Sequence, residues 1–222
     1  MSEIPPLSTF PADTLRDALA RHQIELPDET IELLDRYCRS LWVWNEKLNL
    51  TRHTSYEKFV ARDVVDSLAL EPFLDAGASV LDVGTGGGVP GIVLAIVRPD
   101  LKVALCDSVA KKAKAVRAIV QEIGLDLTVH HAPAQEVLLR HHFDTLVARA
   151  VAPLSKLIRW FAADWDAFER LLVIKGPAWV EERQAAREAG LLKHLEMRKL
   201  AEYPLSGSES KSVVLSIRPK EE

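Results

Sequence analysis

Apolar residues recur at helical spacing through the first third of the chain. The positions that define the first two helices are Leu15, Ala18 and Leu19, then Ile31, Leu34, Tyr37, Leu41 and Trp44. Such three- and four-residue spacing is typical of one buried helix face. A third helix is predicted from about Tyr56 to Leu70. The pattern therefore predicts a helical N-terminal extension that covers residues 1–77.

From Ala78 onwards, short β-branched runs alternate with helical stretches. The predicted strands are Ser79–Val83, Lys102–Cys106, Leu127–His130, Thr145–Ala148 and Leu171–Ile174. The predicted helices between and after them are Gly91–Val97, Val109–Ile123, Leu154–Phe161 and Trp179–Gly190. This alternation is typical of an α/β fold with a mainly parallel, doubly wound sheet. Two final runs, Met197–Tyr203 and Ser212–Ile217, flank a turn and predict an antiparallel hairpin at the sheet edge. Residues 78–222 are thus expected to form a seven-stranded core.

The composition is that of an ordinary globular protein. The chain has 222 residues, of which 48% are hydrophobic and 27% charged. Its two cysteines, Cys38 and Cys106, support neither a disulfide framework nor a zinc knuckle, which fits a reducing compartment. The longest aliphatic run has six residues and the first ten residues lack the features of an export signal. We therefore expect a soluble, cytoplasmic monomer without a membrane segment.

The charge is unevenly distributed. Residues 1–77 carry 8 Lys+Arg and 14 Asp+Glu, whereas residues 78–222 carry 20 and 18. The net charge of −4 neither supports nor excludes an RNA partner. Lys111, Lys112 and Lys175 are the candidates for RNA phosphate contacts, and a solvated surface is the alternative for each of them.

A glycine cluster follows the first predicted strand, within the segment from Val80 to Gly91. Its glycines include Gly86, Gly88 and Gly91, which match the G-x-G-x-x-G spacing of nucleotide-binding turns. This spacing alone is weak evidence, because tight strand-to-helix turns need glycines for backbone reasons.

Two carboxylates distinguish between possible ligands of this loop. Asp107 ends the second strand, where a carboxylate can accept hydrogen bonds from ribose hydroxyls. Asp82 directly precedes the glycines, and there it would repel a pyrophosphate but attract a sulfonium or ammonium group. S-adenosylmethionine is therefore the predicted cofactor, and an NAD-dependent oxidoreductase is disfavoured. Helix capping remains an alternative role for both residues.

Other chemistry is less well supported. Gln135 follows the third strand and could reach an adenine edge with its amide, although a plain helix start is an equal alternative. Four histidines lie close together in the sequence, but their spacing suits neither a helix-face pair nor a zinc finger. No metal site is predicted. These histidines are His130, His131, His141 and His142.

Several longer motifs are specific. They are Trp44-Asn45 with Asn49-Leu50-Thr51, Arg62 with Asp66-Ser67-Leu68, the Asp82–Gly91 loop, Asp107-Ser108, Arg149-Ala-Val-Ala-Pro-Leu154, and Leu172-Val-Ile-Lys-Gly176. With these motifs the chain resembles the bacterial 16S rRNA (guanine-N7)-methyltransferases, the glucose-inhibited division protein B family. The resemblance implies a Rossmann-like S-adenosylmethionine-dependent methyltransferase fold. It also implies methyl transfer to N7 of a guanine in the decoding-region loop of 16S rRNA, within the small ribosomal subunit or its precursor.

The resemblance also implies roles for individual residues. Gly84 and Val89 match cofactor contacts, Ala134 and Gln135 match the adenine-side pair, and Arg149 matches an arginine near the cofactor. Arg149 is expected to position the reactants and not to transfer a proton, because guanine N7 carries a lone pair and no proton.

The chain departs from the family pattern at three places. Gln135 stands where the family usually has Glu, Asp63 where a His is common, and Lys211 within Ser210-Lys211-Ser212 where an Arg-His pair is usual. Three alternatives therefore stay open. They are methylation of another RNA, methylation of a small nucleophile, and a non-catalytic RNA-binding assembly factor.

Overall fold

A computed structural model describes residues 13–205 and 209–220 of the chain. Three parts of the sequence analysis lie outside these residues. They are the first ten residues, in which no export signal is expected, the start of the predicted extension, and the tip of the turn before the last strand. The helices are α1 (Leu15–Arg21), α2 (Asp28–Leu48), α3 (Tyr56–Lys58), α4 (Val65–Leu68), α5 (Gly91–Val97), α6 (Ala110–Ile123), α7 (Ala134–Leu138), α8 (Leu154–Trp160) and α9 (Trp179–Glu188). The strands are β1 (Ser79–Val83), β2 (Lys102–Cys106), β3 (Thr128–His130), β4 (Phe143–Arg149), β5 (Phe168–Lys175), β6 (Leu195–Pro204) and β7 (Lys211–Pro219).

The seven strands form one sheet in the order β3-β2-β1-β4-β5-β7-β6. Strands β1 to β5 pair in parallel, and β7 pairs antiparallel with both β5 and β6. The predicted α/β fold with a terminal antiparallel hairpin is therefore confirmed. The carboxyl ends of β1, β2, β4 and β5 meet at one edge, which is where ligands bind in such sheets.

The third predicted helix is continuous but irregular. Its middle, Phe59–Val64, is a π-helical turn between α3 and α4, and two 3-10 turns occur elsewhere at Glu71–Phe73 and Trp165–Ala167. A π turn adds one residue to a helical turn and is frequent at functional sites. It is confined here to the stretch that contains Arg62 and Asp63.

The N-terminal helices and the sheet bury side chains in one shared cluster. Residues from α1 and α2, such as Leu19 and Leu34, pack in the same cluster as Ile92 of α5 and Val116 of α6. The other face of the sheet is covered by α8 and α9 around residues such as Leu157. Burial of this apolar surface on both faces is what holds the layers together.

The glycine loop is supported from below by the carboxylate of Asp82. This side chain is fully buried, and its Oδ2 accepts hydrogen bonds from the Thr85 hydroxyl at 2.6 Å and from the Gly91 amide at 2.9 Å. Its Oδ1 has no hydrogen-bond partner among the described residues. Burial raises the pKa of Asp82 from 3.8 to about 6, because desolvation outweighs these hydrogen bonds.

Asp82→Asn should change how stability depends on pH. The pKa of Asp82 is higher in the folded state, so its contribution to stability is fully present below about pH 4 and is lost as pH rises through about 6. At about 1.4 kcal/mol per pH unit, the wild type should lose about 3 kcal/mol of unfolding free energy relative to the variant between about pH 4 and pH 7.

Urea denaturation at each pH measures this difference. Asp166→Asn, at an exposed carboxylate, is the matched control. Parallel stability curves for the wild type and Asp82→Asn would contradict an ionisation penalty at Asp82.

Candidate active site

The loop after β1 turns sharply beside the β4–α8 connection. Gly84 and Gly86 adopt φ values of +67° and +59°, a region that favours glycine. A Cβ on Gly84 would lie 3.0 Å from Cγ1 of Val151. The loop amide of Thr85 donates to the carbonyl of Cys106 at 3.0 Å, which joins the ends of β1 and β2. The absence of a side chain at Gly84 thus lets the loop approach Val151 closely.

Asp107 lies at the carboxyl end of β2 and is 5% exposed. Its Oδ2 accepts from the Gly86 amide at 3.0 Å, and its Oδ1 accepts from the Val109 amide at 2.8 Å. Each carboxylate oxygen has two lone pairs, so both can accept a further hydrogen bond. Asp107 therefore does not cap α6, whose N-cap residue Val109 has no side-chain capping bond, but holds the loop before it and remains able to bind a ligand.

A cavity of about 250 Å³ opens next to Asp107. Its lining residues include Gly84, Asp107, Ala134, Gln135, Val151 and Trp160. Four of the predicted cofactor residues thus lie together: Gly84, Asp107, Ala134 and Gln135. Ala134 and Gln135 are also the first residues of α7.

Trp160 was not among the predicted site residues. It is the last residue of α8 and half-buried, and the ammonium of Lys156 lies 5.3 Å from its ring centroid. The fold brings Trp160 to the same cavity wall as Val83 and Gly84 at the end of β1. An aromatic residue at the exposed end of a predicted helix was the sole signal in the sequence.

Four predicted cofactor residues are not in the wall of this cavity, and one of them, Arg149, lines a neighbouring cavity instead. Asp82 lies beneath the loop in its capping role, and Gly86 donates its amide to Asp107. Val89 is 7% exposed and packs in the hydrophobic core instead. A side chain within the turn can point into the core as easily as outward, and the motif alone does not distinguish the two.

A second cavity of about 590 Å³ adjoins the first, and Val151 lines both. Its polar lining residues include His53, Arg62, Asp66, Arg149, Lys175 and Ser212. These residues come from the segment before α3, the π turn, α4, and the ends of β4, β5 and β7. The wall is therefore assembled from both halves of the chain.

Arg149 is held between two buried carboxylates of the N-terminal helices. Its Nη2 lies 2.7 Å from Oδ1 of Asp63, and its Nη1 lies 3.1 Å from Oδ2 of Asp66. Burial opposes the charge on Arg149, but the two carboxylates outweigh it and hold the pKa of the guanidinium above its ordinary value. The hydroxyl of Tyr203 in β6 donates to Oδ1 of Asp66 at 2.7 Å. Arg149 thus forms the structural ion pairs of a buried cluster.

Lys175 is not a solvated lysine at a strand end. It is 7% exposed, and its Nζ donates to the Ala152 carbonyl at 2.6 Å and pairs with Glu182 at 2.7 Å. The same Glu182 oxygen accepts the amide of Leu154 at 2.7 Å. Lys175 and Glu182 therefore fix the connection after β4, where Ala150 has a φ of +53°.

The other two lysines predicted to bind RNA lie elsewhere. Lys111 is exposed and Lys112 half-buried in the first turn of α6, and neither lines the two cavities. The structure therefore does not bring the three lysines together. In the described part of the chain, no group of three or more His, Cys, Asp or Glu side chains could hold a metal ion. No helix there is long and apolar enough to span a membrane.

The sequence and the fold are similar to those of known proteins. A ribosomal RNA small subunit methyltransferase G from Rhodopirellula baltica is 47% identical over 190 residues, covering 86% of this chain and 82% of the relative. One from Halorhodospira halophila is 36% identical over 191 residues, covering 86% and 90%.

Solved structures show the same fold at low sequence identity. TrmK of M. capricolum, solved with S-adenosylhomocysteine, has a TM-score of 0.54 at 13% identity and covers 70% of this chain and 68% of its own. A methyltransferase from Pyrococcus furiosus has a TM-score of 0.53 at 10% identity, covering 71% and 83%.

The family model described as rRNA small subunit methyltransferase G matches residues 30–206. This match covers most of the chain, and it agrees with the motifs from Asn49 to Gly176. The resemblance inferred from those motifs is confirmed: the chain belongs to the rRNA small subunit methyltransferase G family.

Proposed function

We propose that this protein transfers the methyl group of S-adenosylmethionine to N7 of a guanine in the decoding-region loop of 16S rRNA. The observation that carries the proposal is the pair of cavities that adjoin at Val151. One cavity has a carboxylate suited to a ribose, and the other has a polar wall suited to a nucleobase. A methyl group transferred between the two would cross at the Val151 boundary.

The first cavity fits S-adenosylmethionine. Asp107 can accept from the ribose hydroxyls, and the lack of a side chain at Gly84 lets the loop pack against Val151 in the cavity wall. Ala134 and Gln135 lie where the adenine edge would be bound. A dinucleotide fits less well, because the Gly91 amide at the start of α5, where a phosphate would bind, already donates to Asp82.

The chemistry places few demands on the protein. S-adenosylmethionine supplies a methyl group on a positively charged sulfur. Guanine N7 presents a lone pair without a proton, so no side chain has to act as a base. The protein therefore has to align N7 with the methyl group, and correct alignment alone can supply several kcal/mol of the barrier reduction.

The second cavity also suits the charge that develops on the base. Methylation leaves the purine cationic, and an isolated guanidinium nearby would oppose this charge. Arg149 is instead surrounded by two carboxylates, Asp63 and Asp66, at 2.7 and 3.1 Å. The two carboxylates therefore compensate the charge of Arg149, so that this arginine does not oppose a positive charge on the base. This supports the role of Arg149 in positioning.

The substrate and setting follow from this reaction. The RNA partner is 16S rRNA within the small subunit or its precursor, and Lys111 and Lys112 are proposed phosphate contacts. The protein acts as a cytoplasmic monomer, composed of the extension of residues 1–77 and the core of residues 78–222.

Asp107→Ala should weaken binding of the cofactor product S-adenosylhomocysteine. A hydrogen bond to a charged acceptor contributes about 1.5–3 kcal/mol, so the affinity should fall about ten- to hundredfold. Isothermal calorimetry measures the effect, and Asp107→Asn, which keeps one acceptor, should lose less. NADH should show no binding. Unchanged affinity in Asp107→Ala would remove Asp107 from the cofactor site.

Mapping of methylated bases tests the reaction itself. Small-subunit RNA from cells with and without the gene should differ at one guanine, which becomes sensitive to N7-methyl-dependent strand cleavage only where the gene is present. Purified protein should restore the methyl group in small subunits from the deletion strain. RNA binding without methyl transfer would favour the assembly factor, and a methyl group on another atom would overturn the N7 assignment.

The salt dependence of RNA binding can show which of the three lysines contact RNA phosphates. Replacing Lys111 and Lys112 together by Ala should reduce the slope of log K against log[salt] by about 1.4, at about 0.7 per phosphate on single strands. Lys175→Ala should leave the slope unchanged, because its ammonium is paired with Glu182. An unchanged slope in the double variant would assign Lys111 and Lys112 to a solvated surface.

A further inference from the structure

His53 occupies the wall of the second cavity next to the buried ion cluster. Its Nδ1 lies 2.8 Å from Oδ1 of Asp63, and Asp63 is fully buried. The His53 side chain is 26% exposed, and the residue lines the cavity. Asp63 therefore holds the ring in one orientation.

The hydrogen bond to Asp63 also fixes the tautomer. A carboxylate oxygen can only accept, so Nδ1 of His53 carries the proton. The other nitrogen of a neutral imidazole is then an acceptor. Among the described residues, Nε2 of His53 has no hydrogen-bond partner. The cavity thus has an acceptor whose direction is set by a buried carboxylate.

Most other polar groups in this wall already have partners. Lys175 is bound to Glu182 and Ala152, and Arg149 to Asp63 and Asp66. Arg62 is different, because its nearest carboxylate oxygen, on Asp66, is 3.8 Å away and its Nε has no partner in the described part of the chain. The side chains that still have groups for a ligand therefore include His53, with one acceptor, and the partly exposed guanidinium of Arg62, with N–H donors.

This pair matches guanine and not adenine. Guanine presents O6, an acceptor, next to N1–H, a donor, whereas adenine presents an amino donor next to an N1 acceptor. We infer that Nε2 of His53 accepts from N1–H of the target guanine while Arg62 donates to O6. The inference rests on the proposed function and adds how the base is selected. An adenine in this position would leave both protein groups unpaired, which is a strong basis for rejection.

The contact would also strengthen during the reaction. The N7 lone pair forms the new bond to the methyl carbon, and the electrons of the sulfur–carbon bond return to sulfur. The positive charge moves to the purine, and no proton leaves the base. A cationic purine makes N1–H a better donor to His53, which is backed by the Asp63 carboxylate. His53 thus contacts the substrate as an acceptor and removes no proton.

The test combines a protein variant with a base analogue. At the mapped position, the target guanine is replaced by 2,6-diaminopurine, which keeps N7 and the shape of guanine but reverses the pattern at positions 6 and 1. Methyl transfer is measured with S-adenosylmethionine, and RNA binding is measured with S-adenosylhomocysteine, both at pH 8. The wild type should prefer guanine by about a hundredfold or more in kcat/KM, since a donor and an acceptor are both lost.

His53→Leu should lose about ten- to hundredfold on guanine RNA and should narrow the preference for guanine by a similar factor. His53→Gln, which keeps an acceptor, should restore most of the preference. The binding data should show the same coupling between variant and analogue, which a purely structural role of His53 would not produce. Inosine keeps O6 and N1–H. Replacing the target guanine by inosine should therefore change kcat/KM by the same factor in the wild type and in His53→Leu.

Controls separate the possible failures. His131→Gln, at an exposed histidine outside both cavities, should behave as the wild type. Unchanged S-adenosylhomocysteine affinity shows that His53→Leu is folded. Equal losses of His53→Leu on guanine and diaminopurine RNA would overturn this inference alone. Absence of N7-methylguanine in the mapping experiment would overturn both it and the proposed function.

Discussion

The contact between Arg149 and the two carboxylates of Asp63 and Asp66 joins the two halves of the chain. Arg149 ends β4, whereas its partners belong to the π turn and α4, more than eighty residues earlier. Removing one member of such a buried group leaves an unpaired charge, which typically costs 3–5 kcal/mol. The arrangement of the π turn and α4 against the end of β4, and hence this part of the wall of the second cavity, depends on this cluster being complete.

Much of the fold could be predicted because it follows local patterns. The bounds of α5 agree with the prediction from Gly91 to Val97, and β1 and β2 agree as well, since each is a short apolar run between turn residues. The π turn at Phe59–Val64 could not be predicted in this way. It adds one residue to a helical turn while the apolar pattern around it continues.

The sequence predicted the site residues only where their position follows from the local strand and loop. Asp107 and Gly84 lie at strand ends whose geometry is common to such sheets. The partner of Lys175 was not visible in the sequence, because it is Glu182 on a later helix. For Asp82 the capping alternative was visible, whereas its bond with the Thr85 hydroxyl depends on the fold of the loop. Asp63 departs from the family pattern, and the sequence does not show its role. The structure does, because Asp63 pairs with both Arg149 and His53.

The hydrogen bond from Tyr203 to Asp66 has a consequence for the order in which the protein becomes competent during its synthesis. Tyr203 lies on the penultimate strand, and Ser212, which lines the second cavity, lies on the last one. The sheet edge that carries these residues is translated after the other five strands. A nascent chain that has already formed the glycine loop and the Asp107 site therefore still lacks one wall of the second cavity. Full assembly of that cavity has to wait until the C-terminal hairpin has left the ribosome.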